Sequence, residues 1–571
     1  MSIFSRSTDR TWSLSFGYKS VEVPNDGTSQ VKFLIALACG AWYLIVLLCH
    51  SLGLFQLFRH YSSKKNPSLS PTLNLQDVPH VTLLRPIKGL EPFLYECLAA
   101  GFRQHYPREK FTIYLCVATA NDPAVPTLHR LLIDFPNSDA RILIESEDDA
   151  LSKLSRSQNS NLGPNPKIRN LSRGYREAKG DIIWILDCNI WVCPGVMGRM
   201  VDKLCGIAVD GSLNVPYKLV HQLPIVIDCL EPKLGHSISN ISGATDNSLK
   251  ISLARNKNQS IHSKLQNYFG FFGGRLEEVF MGSSHAKNYT AINTVSVAPC
   301  LVGKSNMFRK THLDYLTRGK SNMPSGLDFF SRYICEDHII GDTLWRNQVK
   351  EEKSGQKFHK HGLVYGDLAI QPMAQLSILG YLGRRVRWIR ARKWAVPMAT
   401  IVEPGVESLV CSGYGAYAFT SLPWFQGFFG GSKTRPDFLL IWIMCICMHL
   451  LIDILCFARL HSLASIEIDA NTPQFVHSLV KSQKHRHLPI GQWMFAWIGR
   501  ELLAFPIWAW ACFGGATITW RGKKFLSKPD MSVVELTQIK PKAPIPNTKK
   551  YRKRLNHLYS FKNMDNYDRK R

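Results

Sequence analysis

"KIRNLSRGYREAKGDIIWILDCN", residues 167–189, sets a helix and a strand back to back and stops the strand on a carboxylate. The first part, through Gly180, carries basic side chains at helical spacing. "DIIWILD" is apolar without alternation, the pattern of a strand covered on both faces, and it ends at Asp187. Outward from this unit the same alternation repeats. From His80, "VTLLRP" is a short apolar strand, "PFLYECLAAGFRQHY" a helix, "FTIYLCVA" a strand, "VPTLHRLLIDF" a helix and "RILIES" a strand. Strands alternating with helices predict an α/β fold on a mostly parallel sheet. Such sheets bind ligands at the carboxyl ends of their strands. Asp122 lies just past one strand end and Asp187 at another, where chemistry is expected.

The flanks are of another kind. "FLIALACGAWYLIVLLCHSLGLFQLF", residues 33–58, is long enough to cross a bilayer, which takes roughly 20 apolar residues. A polar leader, 1–32, precedes it, and no small-residue cleavage site follows, so it is expected to stay as an anchor. Residues 59–79 read as a linker rich in Ser, Pro and Asn. Near the other end, residues 438–457 form a second span despite Asp453. Residues 493–518 are a further candidate, with Arg500 and Glu501 near the start. Residues 397–419 are interrupted by Glu403, Pro404 and Glu407, and suit a re-entrant or interfacial segment. The expected layout is a soluble domain over 80–395, a C-terminal membrane region over 396–520 and a basic tail over 521–571. One N-terminal and two to three C-terminal membrane helices result. Residues 231 to about 276 are polar and poor in large apolar side chains, and are expected to be a surface insertion.

Of the 571 residues, 70 are Lys or Arg and 43 Asp or Glu, for a formal net charge of +27. The tail alone holds 15 basic and 4 acidic residues. Plain solubility and attraction to anionic lipid headgroups explain it equally well; a nucleic acid is not an expected partner. The 15 cysteines are scattered without a disulfide framework, which suits a reducing compartment. Cys445 and Cys447 could form a metal pair, but in an apolar run packing is the stronger reading.

"EDHIIGD", residues 336–342, concentrates acid in a basic chain. Glu336 and Asp337 could serve the first turn of a helix, or one of them could be a catalytic base. Asp187-Cys188-Asn189 is a degenerate form of the Asp-x-Asp pair that holds a divalent cation on a nucleotide diphosphate. Magnesium needs only one or two carboxylates beside phosphate oxygens, and Asn189 offers a neutral oxygen. Alone, such a pair is more often a turn. In order, however, Asp122 in "NDPA", Asp187 in "LDCN", Asp337 in "CEDH" and "RRVRW", Arg384 to Trp388, resemble the D, D, D, (Q/R)xxRW signature of processive and lipid-directed β-glycosyltransferases. The longer runs "NPKIRNLSRGYREAKGDIIWILDCNIWV", "GSSHAKNY", "ICEDH" and "ATIVEPGVES" are similar to those of ceramide glucosyltransferases. The resemblance covers most of 80–524, outside the insertion.

That resemblance implies an A-type nucleotide-sugar glycosyltransferase fold. It implies UDP-glucose as donor, ceramide as acceptor and glucosylceramide as product. It implies a multi-pass protein of Golgi or ER–Golgi membranes with its catalytic domain in the cytosol, where sequons at Asn170, Asn240, Asn258 and Asn288 stay bare. By the same resemblance Asp337 is the general base, with Glu336 as the alternative or as a residue orienting the loop. Asp122 and Lys88 face the uridine side of the donor. Asp187 and Asn189 hold magnesium or manganese. Arg384 and Arg387 neutralise the leaving diphosphate, Trp388 walls the sugar or acceptor, and His285 belongs to the acceptor region. The bland reading of "GRRVRWIRARKW" is a membrane-surface amphipathic helix. Two rival functions stay open. A processive polysaccharide synthase shares the motifs but needs more spans for an export channel. A non-enzymatic membrane scaffold leaves four polar signatures in order unexplained.

Overall fold

The computed structural model describes residues 4–6, 12–16, 19–22, 27–151, 162–208, 214–229, 272–319, 324–426, 435–481 and 489–536. Helix α1 (Gly27–His60) leads into a seven-stranded sheet. Its strands are β1 (Val81–Pro86), β2 (Phe111–Val117), β3 (Asp139–Ile144), β4 (Ile182–Leu186), β5 (Tyr217–Asp228), β6 (Ser305–Arg309) and β7 (His359–Met373). Their order is β7-β5-β6-β4-β1-β2-β3, and β6 alone runs antiparallel to its neighbours. Every residue of β1, β2 and β4 is buried, because helices cover both faces. Leu83 and Trp184 enter one core cluster, while their neighbours Leu84, Ile183 and Ile185 enter the other. Each such side chain contributes roughly 1.5–3 kcal/mol through burial. Trp184 also donates its indole N–H to Ser305 Oγ across the strand pair at 3.0 Å.

Helices α2 (Leu94–Phe102), α3 (Val125–Asp134) and α4 (Pro166–Arg176) stand between the strands, as the periodicity predicts. Asn165 starts α4 by accepting the amides of Lys167 and Ile168 at 2.8 and 3.2 Å, with Pro166 in the first turn, a strong N-terminal signal. The helix closes at Arg176, before the expected Gly180. Helices α5 (Val196–Cys205), α6 (Gly273–Phe280), α7 (Ala286–Val295), α8 (Lys310–Thr317) and α9 (Glu336–Arg346) complete the layers. Helix α6 is buried throughout, so the polar insertion ends before 276. Asn240 and Asn258 lie outside the described residues. Asn170 is buried, donating to the carbonyls of Ile87 and Cys116, so no glycan fits there on either side of a membrane.

Among the described residues two helices are long and apolar enough to span: Ser29–His60 within α1, and Pro436–His461 within α12 (Arg435–His461). The stretch 397–421 breaks into Pro397–Val402, a turn of 3-10 helix at Glu403–Val406 and α11 (Ser408–Ser421); α10 (Ile378–Arg392) precedes it. Helix α11 runs antiparallel to α1, with Phe419 against Tyr43 and Trp424 against Phe33. The C-terminal ends of α1 and α12 both meet the sheet: His60 stacks on Tyr365, and His461 reaches the Val226 carbonyl. Helix α13 (Ile490–Phe513) was the further candidate span. The segment before it docks on the domain through Glu467–Arg199 at 2.7 Å and Phe475–Phe93, and the chain after it bonds to Arg390. It therefore begins and ends on the sheet side, with Phe495, Leu502, Phe505, Trp510 and Phe513 exposed along its outer face. This is the geometry of a helix lying in an interface.

Both ends of the chain hold structure where a leader and a tail were expected. Short antiparallel strands occupy Phe4–Arg6, Trp12–Phe16 and Lys19–Glu22. Beyond α13, β8 (Thr517–Trp520), β9 (Lys523–Ser527) and β10 (Val533–Glu535) form a meander. Ile518, Phe525 and Val533 are its buried apolar residues. Alternation with lysines disguised these strands as a basic tail. All 15 cysteines are free, with Cys445 buried and Cys447 exposed, so the two do not face one another as a metal pair.

Candidate active site

The carboxyl ends of the parallel strands share one edge, and reversed β6 begins there. Leu186 therefore pairs with Ser305, and the Asp187 amide donates to the Lys304 carbonyl at 2.9 Å. Lys304 Nζ lies 3.2 Å from Asp187 Oδ2. Lys167, held in the first turn of α4, approaches from the other side. Its ammonium meets Asp187 Oδ1 at 3.0 Å, Glu336 Oε1 at 3.2 Å and the Gly303 carbonyl at 3.2 Å. Three donors thus find three acceptors on three segments. Burial pushes the Asp187 carboxyl up, but Lys167 and Lys304 outweigh it and hold it down at about 2. The Lys304 ammonium is lowered, by burial first, with Arg384 and Lys167 adding to it against the pull of Asp187.

Glu336 and Asp337 do stand in the first turn of α9. Their surroundings differ. Glu336 is tied by Lys167 and by the Asn165 amide, which donates to Oε2 at 3.1 Å; burial raises its carboxyl. Asp337 has no hydrogen-bond or ion-pair partner among the described residues, and lines a cleft with Lys167, Asn306 and Ile340. A Cβ on Gly303 would stand 3.0 Å from Asp337 Oδ2 and 3.2 Å from Lys167 Nζ, so a side chain there would crowd both.

Helix α10 brings Arg384, Arg387 and Trp388 to this edge. Arg384 donates to Glu277 at 2.8 Å and Gln371 at 3.3 Å, and its guanidinium lies 4.7 Å from the Trp388 ring centre. Arg387 makes no ion pair among the described residues; burial and neighbouring Arg384 lower it to about 10. Trp388 packs beside Val226, Phe280, Met281 and Met373. The other arginines are internal ties, not headgroup contacts: Arg385 lies over Phe280, Arg390 holds the Thr517 carbonyl and Arg392 reaches Glu403. A helix reaching inward with its arginines is no membrane-surface strip.

Asp122 works on the backbone. It accepts the Gly89 amide at 2.9 and 3.1 Å and the Ala124 amide at 2.9 Å, clamping two strand-end loops together. Lys88 is exposed and donates to the Arg521 carbonyl. His285 closes a π-helical turn, Met281–His285, a distortion that favours functional sites. Its ring stacks on Tyr289 at 5.2 Å, its Nδ1 is buried without a partner, and burial with Arg385 and Arg392 lowers it to about 3. Its ring also lies 5.9 Å from that of Phe280, which lines a cleft with Arg385, Glu403, Glu407, Arg500 and Trp508.

The family model for glycosyl transferase family 21 matches residues 41–228 and 265–533, skipping the insertion and running through the meander. The chain belongs to glycosyl transferase family 21. It is 46% identical to a ceramide glucosyltransferase of Pyricularia oryzae, covering 88% of this chain and 95% of the relative. It is 44% identical to one from Gibberella zeae, over 88% and 92%, and 31% identical to one from Candida albicans, over 87% and 96%.

In this family 21 chain, reasoning from sequence missed Lys167, Lys304, Glu277 and Gln371. Lys167 was in view within "NPKIRN", where a helix lysine reads as surface charge. The cation ligands proposed at Asp187 and Asn189 fit in one respect: Asn189 Oδ1 is buried without a partner, its amide lying 3.4 Å from Glu91. The ionised, partly open Asp187 supplies the single carboxylate that magnesium needs beside phosphate oxygens. Lys167 and Lys304 already balance that carboxylate.

Proposed function

We propose that this protein transfers glucose from UDP-glucose to the primary hydroxyl of ceramide, with inversion, and so forms glucosylceramide. The carrying observation is the contrast within one turn of helix: Glu336 is tied by Lys167 and Asn165, while Asp337 beside it is unpaired among the described residues. Ceramide and glucose follow the names of the 44–46% identical relatives, and UDP as the carrier follows the motif resemblance. Asp337 accepts the hydroxyl proton as the oxygen attacks the anomeric carbon, and the carbon–oxygen bond to UDP breaks on the opposite face. A positioned carboxylate of this kind supplies roughly 10² to 10⁴-fold. Charge growing on the diphosphate meets Lys304, Arg384 and Arg387. Asp187 and Asn189 would hold a magnesium or manganese ion, which would supply Lewis-acid stabilisation of that charge. Beside α10 and α13, a cleft lined by Arg385, Glu403, Arg500, Ile507 and Trp508 offers charged and apolar side chains to the acceptor. His285 borders it.

The sheet, α13 and the meander share one side of the membrane, which we assign to the cytosol of Golgi or ER–Golgi membranes; 15 free thiols agree with that side. Incubating full-length protein in membranes with labelled UDP-glucose and ceramide tests the reading, with UDP-galactose as control. Label in a ceramide-derived lipid is expected. Label in insoluble polymer establishes the synthase alternative, and no transfer to either overturns the assignment.

A further inference from the structure

The C-terminal meander folds over the donor edge, and its tip is basic. Trp520 pairs with Lys523, so Arg521 and Gly522 form a two-residue turn with φ of +51° and +81°. Two successive positive φ values define a type I′ turn, which Asn-Gly serves best. Gly522 meets that demand; Arg521 sits in the left-handed region at a steric cost. The Arg521 carbonyl receives the Lys88 ammonium, and Lys88 adjoins Gly89, whose amide Asp122 holds. The Arg521 guanidinium lies over the Trp520 ring, 5.4 Å from its centre, and near Lys88, where it adds to the lowering that burial causes, against the pull of Asp122. Two cations are therefore brought together beside the Asp122 loop. Among the described residues neither has a carboxylate within ion-pair distance, whereas nearby Lys523 is matched by Glu535 at 3.0 Å.

The meander is also fixed at its base. Arg390 of α10 holds the carbonyls of Gly514 and Thr517 at 2.7 and 2.9 Å. Ser532 bridges to Tyr333, three residues before Glu336. One small sheet thus joins the arginine helix, the Asp122 loop and the loop leading to Asp337.

We propose that Arg521 is a donor-binding residue: its guanidinium, with the Lys88 ammonium, grips the diphosphate of a nucleoside diphosphate held under the hairpin. This rests on the donor reading above. Like charges held together are costly alone, and an anion with several acceptor oxygens relieves the cost through charge-assisted hydrogen bonds. The test separates binding from folding. Full-length protein carries Arg521→Gly, which relieves the turn, or Arg521→Lys, which keeps the charge. UDP binding is measured by calorimetry in detergent beside the melting temperature. Arg521→Gly is expected to melt no lower than wild type and to bind UDP roughly ten- to a hundred-fold more weakly, with Arg521→Lys between the two. Wild-type affinity in Arg521→Gly overturns the proposal and leaves the donor reading standing. A wild-type protein that binds neither UDP nor UDP-glucose overturns the donor reading and this proposal with it.

Discussion

Two buried ionic clusters in this molecule have the same formal composition and opposite character. At the sheet edge, Lys167 and Lys304 face Asp187, Glu336 and Asp337. Between the membrane-side helices, Lys287 and Arg500 face Asp453, Glu407 and Glu501. In the second cluster every carboxylate has a cation. Lys287 meets Asp453 at 2.6 Å, Arg500 touches all three acids, and Trp497 adds an indole N–H to Asp453 at 2.8 Å. The Asp453 side chain is 0% exposed. In the first cluster Asp187 keeps 20% of its side-chain surface open, and Asp337 has no partner among the described residues. A buried charge is tolerated when paired; one left unpaired beside a paired set is available to a substrate. The membrane-side cluster locks α7, α12 and α13 together, and the sheet-edge cluster keeps one carboxylate in reserve.

The strongest way to break this contrast is Asp337→Asn. The change is nearly isosteric and removes the base, so turnover should fall by roughly 10² to 10⁴-fold. UDP affinity and melting temperature should hold, because nothing in the fold leans on that carboxylate. Turnover and affinity are read on one preparation. Near-normal turnover would show that the unpaired carboxylate is not the base.

Lys287→Met probes the other side. It leaves Asp453 with Arg500 and the Trp497 N–H but one cation short, and removing one partner of a buried pair costs roughly 3–5 kcal/mol. Thermal unfolding in detergent should show that loss, while turnover per folded molecule stays within about two-fold, well under the tenfold that 1.4 kcal/mol represents. A Lys287→Met protein of unchanged stability and collapsed turnover would erase the distinction between the clusters.

How far the sequence exposes these clusters differs in the same way. Strands β1, β2 and β4 are legible because burial on both faces leaves an unbroken apolar run such as "IIWIL". Helix α4 is legible from Asn165 and Pro166. The aspartates are legible as ends of strands, and Asp337 through its motif. Illegible from periodicity are reversed β6, whose pairing with β4 and β5 is a long-range choice, and α13, whose apolar run reads as a span until both ends are seen on the sheet side. Equally hidden is the reach of Lys167, since no spacing along a chain says that one ammonium will touch residues 187, 303 and 336. The carboxylate of Asp122 carries a structural load its motif does not announce. The meander was masked by its lysines.

The smallest expected effect tests how finely the reserved carboxylate is held. Asn165 does two jobs with one amide. Its oxygen caps α4, and its nitrogen donates to Glu336 Oε2 at 3.1 Å and to the Tyr333 carbonyl at 2.5 Å. Serine is about as good an N-cap as asparagine, so Asn165→Ser should preserve the start of α4 and the position of Lys167. What it removes is the tether on Glu336 and on the Tyr333 carbonyl, and with it part of the fixing of Asp337. A hydrogen bond to a group of this kind is worth about 1–1.5 kcal/mol, so the melting temperature should move little. If that energy is used to hold the base in place, kcat should fall by up to roughly tenfold. The KM for the donor should be unchanged, because Asp187, Lys304 and Arg384 are untouched. A drop of several degrees in melting temperature at full kcat would mark Asn165 as a fold element only, and the first turn of α9 would then hold Asp337 without help from its neighbour.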